Sequence, residues 1–116
     1  MRPLIHPAIE DVRVEAILHA LSDPVRVAIY AGMEDAGCPQ TCTRFATILD
    51  REIPKSTLSQ HFRVLREAGL IRSERQGVEM RNTSRRDEIE QRFPGLIGGI
   101  MHAHRVQVAE RSKAPV

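Results

Sequence analysis

Residues 54–77, PKSTLSQHFRVLREAGLIRSERQG, constrain this chain more than any other stretch. Counted from Leu58 on a 3.6-residue period, Phe62 and Leu65 share its face, and His61 and Ala68 lie at the margin. Ser56, Ser59, Gln60, Arg63 and Glu67 point the other way. That outward face is mostly short hydrogen-bonding side chains and one arginine. It lacks the alternating Lys and Glu of a helix that is merely solvated. Short polar groups allow close approach to a surface, and Ser, Gln and Arg can all read base edges in a DNA major groove. Gly69 ends the helix as a residue tolerant of left-handed backbone should. Ile71 to Glu74 and Val78 to Thr83 then alternate sides around Arg75-Gln76-Gly77, the pattern of a two-stranded hairpin with a basic tip. An ordinary polar surface helix would share the first of these features but not the set.

The net charge of +2 acquires meaning when divided along the chain. Residues 51–86 hold nine Lys and Arg against four Glu, a net +5. Eight of the nine are Arg, which suits bidentate contacts to phosphate and guanine. Positive charge gathered around one polar-faced helix is what a polyanion-binding surface requires. The chain has 116 residues, no Trp, one Tyr and three Phe, so its core is small and would gain from burial against a second copy. It has no apolar run of the ~20 residues needed to span a bilayer. MRPLIHPAIEDV does not read as a signal peptide. Two cysteines do not make a secreted disulfide scaffold. These features lead to the expectation of a cytoplasmic protein.

Residues 1–7, with Pro3 and Pro7, read as an irregular arm, residues 8–111 as one domain and 112–116 as a tail. A first helix is expected over Ala8–Leu21, with Ile9, Val12, Ala16, Leu18 and Leu21 inward. Ser22-Asp23-Pro24 combines a capping side chain with proline at the first helical position. The second helix follows to about Ala36, burying Val25, Ala28, Ile29 and Met33, and stops at Gly37. Beyond Cys38–Thr43 a short helix is expected with Phe45, Ile48 and Leu49 inward. Asp50–Ile53 would turn from it into the polar-faced helix, completing a helix-turn-helix. Ser84-Arg85-Arg86-Asp87 resembles a capping box opening another helix, which Phe93-Pro94-Gly95 interrupts. The last helix, from about Leu96 to Arg111, carries Leu96, Ile97, Ile100, Met101, His104 and Val108 on one side. Such a stripe either packs back on the core or pairs with a second chain, and pairing is the expectation.

This order of helices, helix-turn-helix, hairpin and terminal helix resembles the ArsR/SmtB family of small winged-helix repressors. The residues that carry the likeness are LSDPVRVAIY (21–30), KSTLSQHFRVLREAGLI (55–71), RSERQG (72–77) and FPGL (93–96). The fold expected is therefore mainly α with a small β-hairpin wing, in a dimer. The resemblance implies a homodimeric repressor on an inverted-repeat operator, released by an inducer such as a metal, a metalloid or an oxidant. It also implies DNA contacts at Lys55, Ser56, Thr57, Ser59, Gln60 and Arg63, and wing contacts at Arg72, Arg75 and Gln76. Gln60 and Arg63 are the candidates for base readout. His61 is open between packing beneath the helix and touching DNA.

The family's metalloid sites use Cys-x-Cys, whereas Cys38 and Cys42 stand four apart with Pro39 between them. Three readings follow for this pair. They could form a soft-metal or metalloid site completed across a dimer, a thiol open to oxidation or modification, or simple packing around a helix start. The zinc pattern of the terminal helix is not met by His102-x-His104, since residues two apart do not share a helix face. No phosphate-cradling glycine loop, Ser/His/Asp set or carboxylate dyad is suggested, so an enzyme is not expected. The rival function is a winged helix that binds another protein without sequence-specific DNA binding. The Arg-rich face argues against it, because protein interface cores are depleted of charge.

Overall fold

The computed structural model describes residues 4–113. The outermost parts of the expected arm and tail, residues 1–3 and 114–116, lie outside the described residues. The chain divides into two compact units, Met1–Arg85 and Arg86–Val116.

In the first unit a 3-10 turn, Ile9–Asp11, precedes helix α1, Val14–Leu21. The first helix therefore starts later than its periodicity suggests. Val12 and Arg13 are extended between the two elements, which shifts the phase of the helix. Ile17 and Ala20 are buried as a result, and Leu18, expected inward, is 51% exposed. Helix α2, Pro24–Ala36, follows the sequence closely. The Asp23 carboxylate accepts the N–H groups of Val25 and Arg26 at 2.8 and 3.1 Å, and Gly37 closes the helix at φ 66°. Val25, Ile29 and Met33 are buried together with Tyr30, while Ala28 is half-buried.

The expected short helix before the polar-faced one is replaced by other structure. Strand β1, Gln40–Thr41, leads into a 3-10 turn, Cys42–Phe45. Strands β2, Thr47–Ile48, and β3, Arg51–Glu52, then pair antiparallel. A helix of this length has too few hydrogen bonds to offset its nucleation cost, and Thr41, Thr43, Thr47 and Ile48 are β-branched. Leu49 and Asp50 make the turn, both at positive φ (54° and 59°). Leu49 is consequently exposed rather than inward, whereas Phe45 is buried and Ile48 half-buried, as expected.

Helix α3, Lys55–Glu67, buries Leu58, Phe62 and Leu65. The Phe62 ring tilts against Phe45 with centroids 6.0 Å apart, an arrangement worth about 0.5–1.5 kcal/mol beyond simple burial. Gly69 follows at φ 86°, and a Cβ there would stand 2.4 Å from Val12 Cγ2. Strands β4, Ile71–Gln76, and β5, Glu79–Ser84, form the hairpin. Pairing continues to Gln76 opposite Glu79, so the two-residue turn is Gly77-Val78, one position beyond the expected tip. Glycine at positive φ in the first turn position suits such a hairpin. The sheet order is β1-β5-β4.

The second unit holds α4, Arg86–Arg92, and α5, Leu96–Lys113. Ser84 is thus the last strand residue, and its hydroxyl lies 2.6 Å from that of Tyr30. Glu90 accepts the N–H groups of Gly95, Ile97 and Gly98 at 2.9, 2.7 and 3.3 Å. Chiefly through the Gly95 bond, its carboxyl is held below the usual range. A carboxylate at the positive end of α5 also complements the helix dipole. Ile97 and Met101 are buried, Leu96, Ile100 and His104 half-buried, and Val108 exposed. Among the described residues no helix is long and apolar enough to cross a membrane.

Candidate nucleic-acid interface

The interface candidate lies in the first unit, on α3 and the β4–β5 hairpin. Pro54 precedes α3 and no side chain caps its first turn. The first bond into the helix from this end is Leu58 N–H to Pro54 carbonyl, 2.9 Å. The N–H groups of Lys55, Ser56 and Thr57 therefore stand ahead of the ladder, where backbone donors and the helix dipole favour an anion. Lys55, Ser56, Thr57, Ser59, Gln60 and Arg63 are all exposed. The apolar residues Leu58, Phe62 and Leu65 hold the opposite face against the core, which is why this one is left outward. Arg63 Nε meets Glu67 Oε2 at 3.3 Å. An exposed pair of this kind is worth under about 1 kcal/mol and can be exchanged for a phosphate.

On the hairpin Arg72, Arg75 and Gln76 are exposed. Arg63 and Arg75 are both near enough to Arg66 for their charges to act on its guanidinium. Helix and hairpin cations therefore share one region. Burial is the chief cause lowering the Arg66 pKa; Arg75 and Arg63 add to it, and Cys42 and Glu67 oppose it. Arg81 is also exposed, but it stands opposite Glu74 on the hairpin face away from Ser73, with Nη2 3.8 Å from Glu79 Oε2.

Not every cation in the basic stretch is on this surface. Arg85 is buried, with Nη1 donating to the Pro7 carbonyl at 2.8 Å. Arg66 is half-buried and its Nε donates to Ser73 Oγ at 3.1 Å. The count of nine thus overstates the charge available to a ligand, since two of these arginines fasten the chain.

His61 is half-buried, and Arg26 Nη1 approaches its Nδ1 at 3.3 Å. Arg26 can only donate, so Nδ1 accepts and Nε2 carries the proton of the neutral ring. Burial lowers the His61 pKa, Arg26 adds to this and Asp23 opposes it. Arg26 Nε in turn donates to the Ala20 carbonyl at 2.7 Å, tying α1, α2 and α3 together.

Cys38 is exposed and Cys42 half-buried, both as free thiols. Gln40 Nε2 lies 3.2 Å from Cys38 Sγ, and Asn82 Nδ2 lies 3.4 Å from Cys42 Sγ. Among the described residues no group of three or more His, Cys, Asp or Glu could hold a metal ion. The residues of one chain therefore do not fit a three-thiolate metalloid site.

A sequence-family profile described as a helix-turn-helix domain matches residues 21–74. Among solved structures the chain is similar to an ArsR family transcriptional regulator, with 19% identity and a TM-score of 0.57. That similarity covers 88% of this chain and 98% of the other. No curated protein matches the chain. An exposed polar helix followed by a two-stranded wing, together with these matches, gives the chain a winged helix-turn-helix fold similar to that of the ArsR family regulator.

Proposed function

We propose that this protein is a DNA-binding transcriptional regulator, a homodimeric repressor that binds an inverted-repeat operator and leaves it when an inducer acts. The observation that carries the reading is the exposed row Lys55, Ser56, Thr57, Ser59, Gln60 and Arg63 in the same region as the wing cation Arg75. In a dimer, two copies of α3 about one turn of duplex apart enter successive major grooves. The N-terminal N–H groups of α3 and the arginines hold phosphates, and Gln60 and Arg63 read base edges. Glu67 releases Arg63 for that contact. Gln76 joins Arg72 and Arg75 as a wing contact.

Release from DNA is assigned to chemistry at Cys38 and Cys42, by a thiol-reactive species or by a soft metal or metalloid held with thiols of a second subunit. The exposure of Cys38 supports access, and the contact of Cys42 with Asn82 supports communication with the wing. Replacing both cysteines by serine should leave operator affinity intact and abolish release by oxidants and soft metals. Unchanged release would remove the sensor role.

The DNA reading is tested by selecting bound duplexes from a random pool and measuring affinity against salt. Gln60→Ala should relax base preference. Arg75→Ala should weaken binding to every sequence and reduce the salt slope by about one. Equal losses on selected and random DNA for both variants would contradict the division of roles. Binding that ignores salt would favour a protein-docking winged helix instead.

A further inference from the structure

The wing departs from the hydrophobic core early. Ile71 is the last fully buried apolar residue of β4; beyond it Ser73 is inward, Arg72 and Glu74 lie on the other face, and Arg75, on the face of Ser73, is exposed. What fills the inward position is polar. Ser73 and Asn82 face each other across the hairpin, 2% and 0% exposed. Arg66 Nε, on the last turn of α3, donates to Ser73 Oγ at 3.1 Å. Ser73 Oγ donates to Asn82 Oδ1 at 2.6 Å, and Asn82 Nδ2 donates to the Gln40 carbonyl at 3.0 Å. On the outer side of β4 the Ser73 N–H donates to His6 Nε2 at 3.0 Å.

The direction of this relay is fixed. Arg66 cannot accept, so the Ser73 hydroxyl receives from it and must give its own proton to Asn82. That orients the Asn82 amide with its NH2 toward β1. Among the described residues no buried side-chain nitrogen or oxygen lacks a partner. Satisfied polar groups in a dry site are directional and specify one geometry, whereas apolar contact tolerates sliding. Arg66 also holds its position against the like charges of Arg63 and Arg75.

We infer that Arg66, Ser73 and Asn82 are positioning residues that fix the wing against α3, so that wing and helix contacts to DNA act as one unit. The inference rests on the DNA-binding reading above. It assigns Arg66 to the protein rather than to a phosphate, although its sequence position among the other arginines suggests the reverse. Each member of the set lies on a different element, so loss of any one frees the wing in the same way.

The test is a double-mutant cycle between Ser73→Ala and Arg75→Ala, read as affinity and salt slope on a duplex selected from a random pool. In the wild type, Arg75→Ala should weaken binding severalfold and flatten the slope by about one. In the Ser73→Ala background the same change should cost less than about twofold and leave the slope unaltered, because the misplaced wing has already lost that phosphate. A residue that serves folding alone would lower the active fraction at every salt concentration and leave the Arg75 increment intact. Additive effects would therefore overturn the inference. If Ser73→Ala does not fold, the same cycle on Arg66→Met, whose side chain is half-exposed, gives the same readout. Wild-type protein with no salt-dependent binding would instead sink the DNA reading itself, an outcome distinct from additivity.

Discussion

Single residues in this protein answer to their immediate partners. His6 and His61 both accept a hydrogen bond on a ring nitrogen, and burial is the first cause holding each pKa below the ordinary 6.5. Arg72, Arg66 and Arg85 add to the effect at His6, against Glu74. An unfolded chain regains the ordinary proton affinity, so below about pH 6.5 it takes up protons that the folded chain refuses. Stability should therefore be full above that pH and decline as acid is added, which urea midpoints at pH 7.5 and 5.5 would show. His6→Gln and His61→Gln should each reduce the difference. Asp23 works in the opposite charge sense. Burial raises its pKa, but the N–H bonds from Arg26 and Val25 and the Arg26 charge outweigh that and leave it lowered. Asp23→Ala should cost about 1 kcal/mol in denaturant unfolding at neutral pH. Gly69→Ala is expected to be worse, about 2–5 kcal/mol, because it combines positive φ with a methyl driven into Val12.

At the scale of elements, the parts with strong periodicity or capping chemistry were legible in sequence. Helix α3 was, since Leu58, Phe62 and Leu65 repeat without interruption, and α2 was, since Asp23-Pro24 and Gly37 bracket it. Residues 40–52 were not. A 3-10 turn and a two-residue-stranded hairpin have no period long enough to detect, and Leu49 looked like a core residue because it is apolar. The turn there is under strain, with two non-glycine residues at positive φ. Replacing Leu49-Asp50 by Asn-Gly should raise stability by about 1 kcal/mol, measurable as a higher melting temperature. The interface was partly legible. The outward row of α3 follows from helix geometry. The inward turn of Arg66 and Arg85 does not, because Ser73 meets Arg66 only once the chain has turned back at Gly69, and the Pro7 carbonyl is distant in sequence from Arg85.

For the whole molecule the exposed apolar residues of each unit are as informative as the buried ones. Leu18 on α1 and Val106 and Val108 on α5 are between 44% and 51% exposed. In the proposed homodimer such residues would be covered, adding the apolar burial that a chain with one Tyr and three Phe cannot supply internally. Val108→Glu should shift the protein toward monomer in sedimentation equilibrium. It should weaken binding to an inverted repeat far more than binding to a single half-site. An unchanged mass would remove α5 from the pairing surface. The seating of His6 on the Ser73 amide carries one more consequence. Strand β4 is a border strand, and the ring occupies a donor that a foreign strand could otherwise capture. Trimming the residues ahead of α1 should thus show first as lost solubility during purification, before any defect in gene control.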